Sequence, residues 1–139
     1  MLHDQELLRA LSQVKTVAVV GAKDKPSPVD RVGRYLLEAG FNVYPVHPKR
    51  STVWGLPVYP SLLEIPHPID LVDIFRAPVH CPDHAEECLQ LAPPPRIFWM
   101  QSGISSSRAR EILSGSPTLV VEDRCLMLEH QRLVVGTEK

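Results

Sequence analysis

Five short apolar runs, spread along the whole chain, constrain this fold more than any other feature of the sequence. They are "TVAVVG" (16–21), "FNVYPV" (41–46), "IDLVDIF" (69–75), "RIFWMQ" (96–101) and "TLVVE" (118–122). Most are continuous rather than alternating, the pattern of strands covered on both faces. The intervals between them carry helical spacing. Val32, Leu36 and Ala39, with Tyr35 beside them, predict a helix over 30–39. Ala85, Cys88 and Leu89 form the stripe of a helix over 82–91 that Pro82 opens. Serines able to cap a helix precede Ala109, Ile112 and Leu113 in 105–113. Leu7, Leu8 and Leu11 mark a helix over 4–13, and 124–132 reads as a last one. The link between the second and third runs is longer, with one short helix expected near Ser61 to Glu64.

Strand and helix therefore alternate, which gives an α/β class: a five-stranded parallel sheet with helices on both faces and right-handed crossovers. No linker-like shift in composition divides the chain, so 1–139 is expected to form one domain with its core at about 14–132. Taking the five runs in the order 3-2-1-4-5 places the reversal of strand order beside the first. Ligands of such sheets sit beyond the carboxyl ends of the strands at that point. The loops after Gly21, Val46, Phe75 and Gln101 are the ones to examine.

Composition narrows the function by exclusion. Lys plus Arg number 15 against 16 Asp plus Glu, a formal charge of −1, which argues against a nucleic-acid or polyanion binder acting through bulk charge. No apolar run approaches the roughly 20 residues needed to cross a bilayer. The opening "MLHDQELLRALSQV" is acidic and amphipathic, unlike a secretory leader. Three cysteines make no disulfide framework, so a reducing cytoplasm is expected.

The first loop, "GAKDKPSP", leaves a strand and enters a helix, where backbone N–H groups and the helix dipole favour an anion. Gly21 permits the sharp exit, Ala22 a close approach, and Lys23, Lys25 and Arg31 add charge. No second glycine follows until Gly33, so the dinucleotide fingerprint is absent. Nor does the second run end in the acid that takes the ribose hydroxyls of NAD. It ends "VYPVHPKR", with His47, Lys49 and Arg50, which suits an adenosine ribose carrying a phosphate, as in NADP or coenzyme A.

At this point "VAVVGAKDKP", "VYPVHPKRSTVWGLPVYPSLLEIPHPIDLVDIFR", "FWMQSGI" and "VEDRCLMLEH" resemble the small stand-alone CoA-binding proteins of the CoA-binding domain superfamily. These are similar to the nucleotide-binding N-terminal domain of the succinyl-CoA synthetase alpha subunit. The resemblance covers nearly all of 14–132, and its most specific pieces are "GLPVYPSL" at 55–62 and Asp123-Arg124-Cys125. It implies a Rossmann-like fold with coenzyme A, or a short acyl-CoA, as the small-molecule ligand. It further implies that Gly21, Ala22 and Lys23 meet the CoA phosphates and that Pro45, Val46, His47 and Lys49 meet the adenosine portion. Ile74, Phe75 and Arg76 would flank the ligand, and Met100, Gln101 and Gly103 would lie near the pantetheine path. The chain departs from the family where Lys23 replaces a common serine and His47 a common asparagine.

In the synthetase a phosphorylated histidine on a second domain does the chemistry, and this sequence does not include that domain. The expected role is a cytoplasmic carrier, sensor or accessory subunit, with neither a membrane nor a nucleic acid as partner. Two alternatives are an NADP-dependent oxidoreductase or other adenine-nucleotide binder, and CoA disulfide or acyl exchange at Cys125. For the latter, Asp123 would cap a helix starting at Arg124 and put the thiol in its first turn beside a cation, which lowers a thiol pKa. His80, Cys81, His84 and Cys88 are not expected to bind metal, since Pro82 takes the first pair out of register and Cys88 faces inward. His130 is expected to pair with Glu129 at the surface.

Overall fold

All five runs form strands of one parallel sheet in the computed structural model, which describes residues 2–136. In chain order the elements are α1 (Asp4–Leu11), β1 (Thr16–Val20), α2 (Pro28–Glu38), β2 (Asn42–Val46), β3 (Thr52–Val53) and β4 (Leu56–Pro57). They continue with β5 (Leu71–Ile74), α3 (Cys81–Gln90), β6 (Ile97–Met100), α4 (Ser107–Leu113), β7 (Leu119–Val121) and α5 (Leu126–His130), which runs into a π-helical turn at Gln131–Val135. Serine caps start two of the helices as their sequence requires. The Ser27 hydroxyl accepts from the Asp30 N–H at 3.3 Å and Ser106 from Ala109 at 3.1 Å. The expected short helix is a 3₁₀ turn at Leu62–Glu64 behind Ser61.

The strand order is β2-β1-β5-β6-β7, so the five runs lie 2-1-3-4-5 rather than 3-2-1-4-5. Pro45 explains the difference. A proline has no N–H to give a ladder and is confined to edge strands. Val46 turns its carbonyl toward β1, accepting from Gly21, so the neighbouring Pro45 faces the open side. Its carbonyl there accepts from Tyr59 N, and Tyr59 returns its own carbonyl to His47 N. The second run is thus an edge strand, blunted by one residue of the long link. The reversal of strand order consequently falls between β1 and β5.

Side chains alternate between two buried layers. Val17, Val19, Leu71, Ile97 and Trp99 meet Leu7, Leu11, Val32, Leu36 and Leu126 of α1, α2 and α5. Ala18, Val20, Val72, Ile74, Phe98 and Met100 meet Ala85, Cys88, Ala109 and Leu113 of α3 and α4. Two expected stripe residues fall outside: Leu89 is 47% exposed, and Ala39 is the exposed residue that ends α2. His130 differs the other way. It is buried, 2.7 Å from the Tyr35 hydroxyl and edge-on to Phe41, while Glu129 pairs with Arg132 instead. No helix among the described residues is long and apolar enough to cross a membrane.

Candidate functional site

A cleft of about 840 Å³ opens at the carboxyl ends of the strands, at the reversal point between β1 and β5. Gly21 makes this geometry possible. Its φ is +86°, and a Cβ there would stand 2.5 Å from the Phe75 carbonyl oxygen and 3.3 Å from the Arg76 Cγ. The glycine is required by the close approach of the chain leaving β1 to the chain leaving β5. Its N–H and that of Ala22 both donate to Val46 O, at 2.9 and 3.3 Å. Those two donors, expected to face an anion, are therefore engaged by β2.

Charge reaches the cleft through side chains instead. Lys23, Arg31, Arg50 and Arg76 line it with His47, His80 and His84, and its lining residues include no carboxylate. None of the four cations is ion-paired to a carboxylate among the described residues. The Arg50 Nε is buried and lacks a hydrogen-bond partner. Burial first, then the charges of Arg50, Arg76 and Lys49, hold His47 below the ordinary imidazole pKa. Its Nδ1 accepts the Lys49 N–H at 3.0 Å, which fixes the unprotonated nitrogen.

Of the residues singled out by sequence, Gly21, Lys23, Arg31, Val46, His47, Phe75, Arg76 and Gln101 line this cleft. Ala22, Ile74 and Met100 are fully buried in the two layers behind it, and Pro45 is buried in β2. Lys49 and Gly103 are exposed outside its wall. Arg50, which the sequence places at the basic end of the second run, also belongs to the wall, and Ser27 and His84 join it without a sequence signal for that role.

Cys125 also lines the cleft, but not by the route its sequence suggested. α5 starts at Leu126, so Cys125 precedes the helix instead of lying in its first turn. Asp123 adopts a left-handed φ of 53° and gives its carboxylate to the Gly103 N–H at 2.6 Å. The Arg124 carbonyl accepts the Trp99 indole N–H at 2.7 Å, and the Gln101 amide oxygen accepts Leu126 N. The Asp-Arg-Cys triplet is thus a crossover that pins α5 to the end of β6. Burial raises the thiols of Cys81 and of Cys88, the latter to about 12 with help from Glu87. No cluster of metal ligands forms among the described residues.

A hairpin that the sequence did not announce braces the first loop. β3 and β4 are two residues each, joined through Trp54 (φ 54°) and Gly55 (φ 72°). The Trp54 indole lies where a Cβ of Gly33 would be, which is why α2 carries a glycine in its middle. Its Nε1 donates to Asp30 at 2.9 Å and its backbone N–H to Asp24 at 3.3 Å.

A five-stranded parallel sheet of this order, flanked by helices and with its cleft at the reversal point, defines a Rossmann-like class of α/β protein. Residues 15–131 match the CoA binding domain family model, and the chain belongs to that family. It is 33% identical over 126 residues to the uncharacterized protein YneT of Bacillus subtilis, covering 90% of this chain and 92% of that one. A Thermus thermophilus protein of known structure superposes with a TM-score of 0.87 at 43% identity, covering 95% of this chain and 99% of that one. An ADP-forming acetate–CoA ligase of Archaeoglobus fulgidus is 37% identical over 75 residues, 53% of this chain and only 11% of the ligase.

Proposed function

We propose that this chain binds coenzyme A, or a short acyl-CoA, in the cleft between β1 and β5, and acts as a carrier, sensor or accessory subunit. The observation that carries this reading is the composition of the wall. Four cations and three histidines face one cleft without a carboxylate, on a chain whose formal charge is −1. Coenzyme A brings a diphosphate and a ribose 3′-phosphate, and guanidinium groups recognise such oxygens through paired hydrogen bonds. A diphosphate on this reading lies between Lys23 and Arg76, with the adenosine end toward His47 and Arg50. The pantetheine arm then runs past Gln101 toward Cys125 and Met127. Membership of the CoA binding domain family, and the ligase match over part of the chain, support the same ligand. The missing acid at the end of β2 disfavours NAD.

Thermal shift and calorimetric titration test it. Coenzyme A should raise the melting temperature with concentration as mass action requires, and NAD should not. Stabilisation by NAD or NADPH with no response to millimolar coenzyme A would reject the assignment.

A further inference from the structure

From the cationic wall inward, three side chains form a chain of hydrogen bonds that the binding reading does not by itself require. The Arg76 Nη1 is 3.3 Å from the Nε2 of His84, and the Nδ1 of His84 is 2.6 Å from the Oε1 of Glu87. The imidazole and carboxylate are 12% and 18% exposed, so water competes weakly for either contact. A guanidinium has only donors. Nε2 of His84 must therefore offer its lone pair, and the ring's hydrogen must sit on Nδ1, where Glu87 accepts it. A doubly protonated ring would set two N–H groups against each other at Arg76. The arrangement defines one protonation state and one tautomer.

We propose that Glu87 and His84 are positioning residues, fixing the Arg76 guanidinium at the reversal point as an anion donor. The inference rests on the binding reading for its ligand, but not for its geometry. Arg76 stands two residues past the end of β5, and its Cγ lies against Gly21, so the held guanidinium flanks the first loop where a diphosphate would lie. One of its five N–H donors is engaged by His84, leaving the others for the cleft. A flexible cation would have to be ordered by each incoming ligand, whereas this one is ordered beforehand, and that difference appears as affinity. Glu87 thereby acts on an anion it does not touch. Its negative charge reaches Arg76 through a neutral ring, so the cleft itself stays free of carboxylate.

The test is made on the full chain with histidine labelled by nitrogen-15. Spectra of the imidazole nitrogens of the ligand-free protein should show His84 protonated at Nδ1, and Glu87→Ala should return it to the Nε2–H form that releases Arg76. Titration with coenzyme A and, separately, with inorganic pyrophosphate should show both bound on the order of tenfold more weakly by Glu87→Ala. Glu87→Gln, whose carbonyl can still accept from Nδ1, should fall between and provides a fold control. An Nε2–H ring or an imidazolium in the wild type overturns the proposal, as do unchanged affinities in Glu87→Ala for both probes. If the wild type binds pyrophosphate but not coenzyme A, and Glu87→Ala weakens the pyrophosphate, the coenzyme reading falls and the positioning role stands. A wild type that holds neither probe overturns the anion role as well.

Discussion

Asp73 carries a carboxyl group in the middle of the sheet, fully buried, with both oxygens lacking a hydrogen-bond partner. Register sets it between Val19 of β1 and Trp99 of β6, on the apolar face covered by α2 and α5. Burial pushes its pKa well above the ordinary carboxylate value, so the folded chain holds the proton that the unfolded chain loses near pH 4. The sign follows. Below about pH 4 both states are protonated and Asp73 has no effect on the pH dependence of stability. Above that the unfolded state binds fewer protons, so stability falls as pH rises, until the raised pKa is passed. Asp73→Asn should remove this slope while keeping buried polar atoms. Asp73→Val should remove the unsatisfied oxygens too, a gain of about 1–3 kcal/mol before any titration is counted. For 139 residues the unfolding entropy is on the order of 290 cal/mol/K, so the Val variant should melt about 3–10 °C higher at pH 4 and further above wild type at pH 7. Calorimetry of the three proteins across that range measures both effects. A difference between wild type and Asp73→Asn that stays constant with pH would refute the reasoning, because the carboxyl would then be ionised and solvated inside the sheet.

Three further outcomes are expected. Arg50→Met should weaken coenzyme A by roughly tenfold to a hundredfold while leaving 3′-dephospho-CoA nearly unaffected, whereas exposed Lys49→Ala should change either by well under tenfold; titration of both ligands decides it. Binding should take up protons as pH falls through the imidazole range, because His47 is held down by burial and then by the charges of Arg50, Arg76 and Lys49, and a bound phosphate offsets those charges, so affinity gains from this group as pH falls. Calorimetry in buffers of differing ionisation enthalpy reads that uptake, and His47→Gln should abolish it. Gly33→Ala should destabilise the fold by about 1–3 kcal/mol and shift the Trp54 fluorescence, since the new methyl group occupies the indole's place; an unshifted melting curve would contradict the brace assigned to the hairpin.

What could be read beforehand divides along physical lines. Continuous apolar runs became strands because each is buried on both faces, and the capping serines started their helices through local hydrogen bonds that need no tertiary information. Pro45 was a legible signal of an edge strand, and with it the strand order was within reach. The β3–β4 hairpin was not, because two-residue strands have no periodicity and the turn rests on a tryptophan in a left-handed conformation. Asp73 was hidden inside an apolar run. His84 and Glu87 are three residues apart on α3, a spacing shared by many surface pairs, and only the fold brings Arg76 to the free nitrogen.

Net charge left the sorting of charges open for a related reason. A formal charge of −1 excludes attraction through bulk charge, yet it says nothing of how the charges are sorted. Many carboxylates here are engaged by arginines that do not line the cleft. Asp30 takes Arg34, Glu111 takes Arg108, Glu122 takes Arg110, and Asp4 with Glu129 holds Arg132. Each of these pairs is at least partly exposed and adds little stability. Their combined effect is elsewhere: arginines and acids that neutralise one another on the helices leave Lys23, Arg31, Arg50 and Arg76 facing the cleft without a counter-charge. Glu87 of α3 is turned to His84 and acts on Arg76 only through the ring. The cleft is therefore a local field inside a nearly neutral protein, strong where a phosphate would sit and compensated within a few residues of it. Such a site favours a small polyanion that can enter the cleft over an extended one that would meet the mixed surface around it.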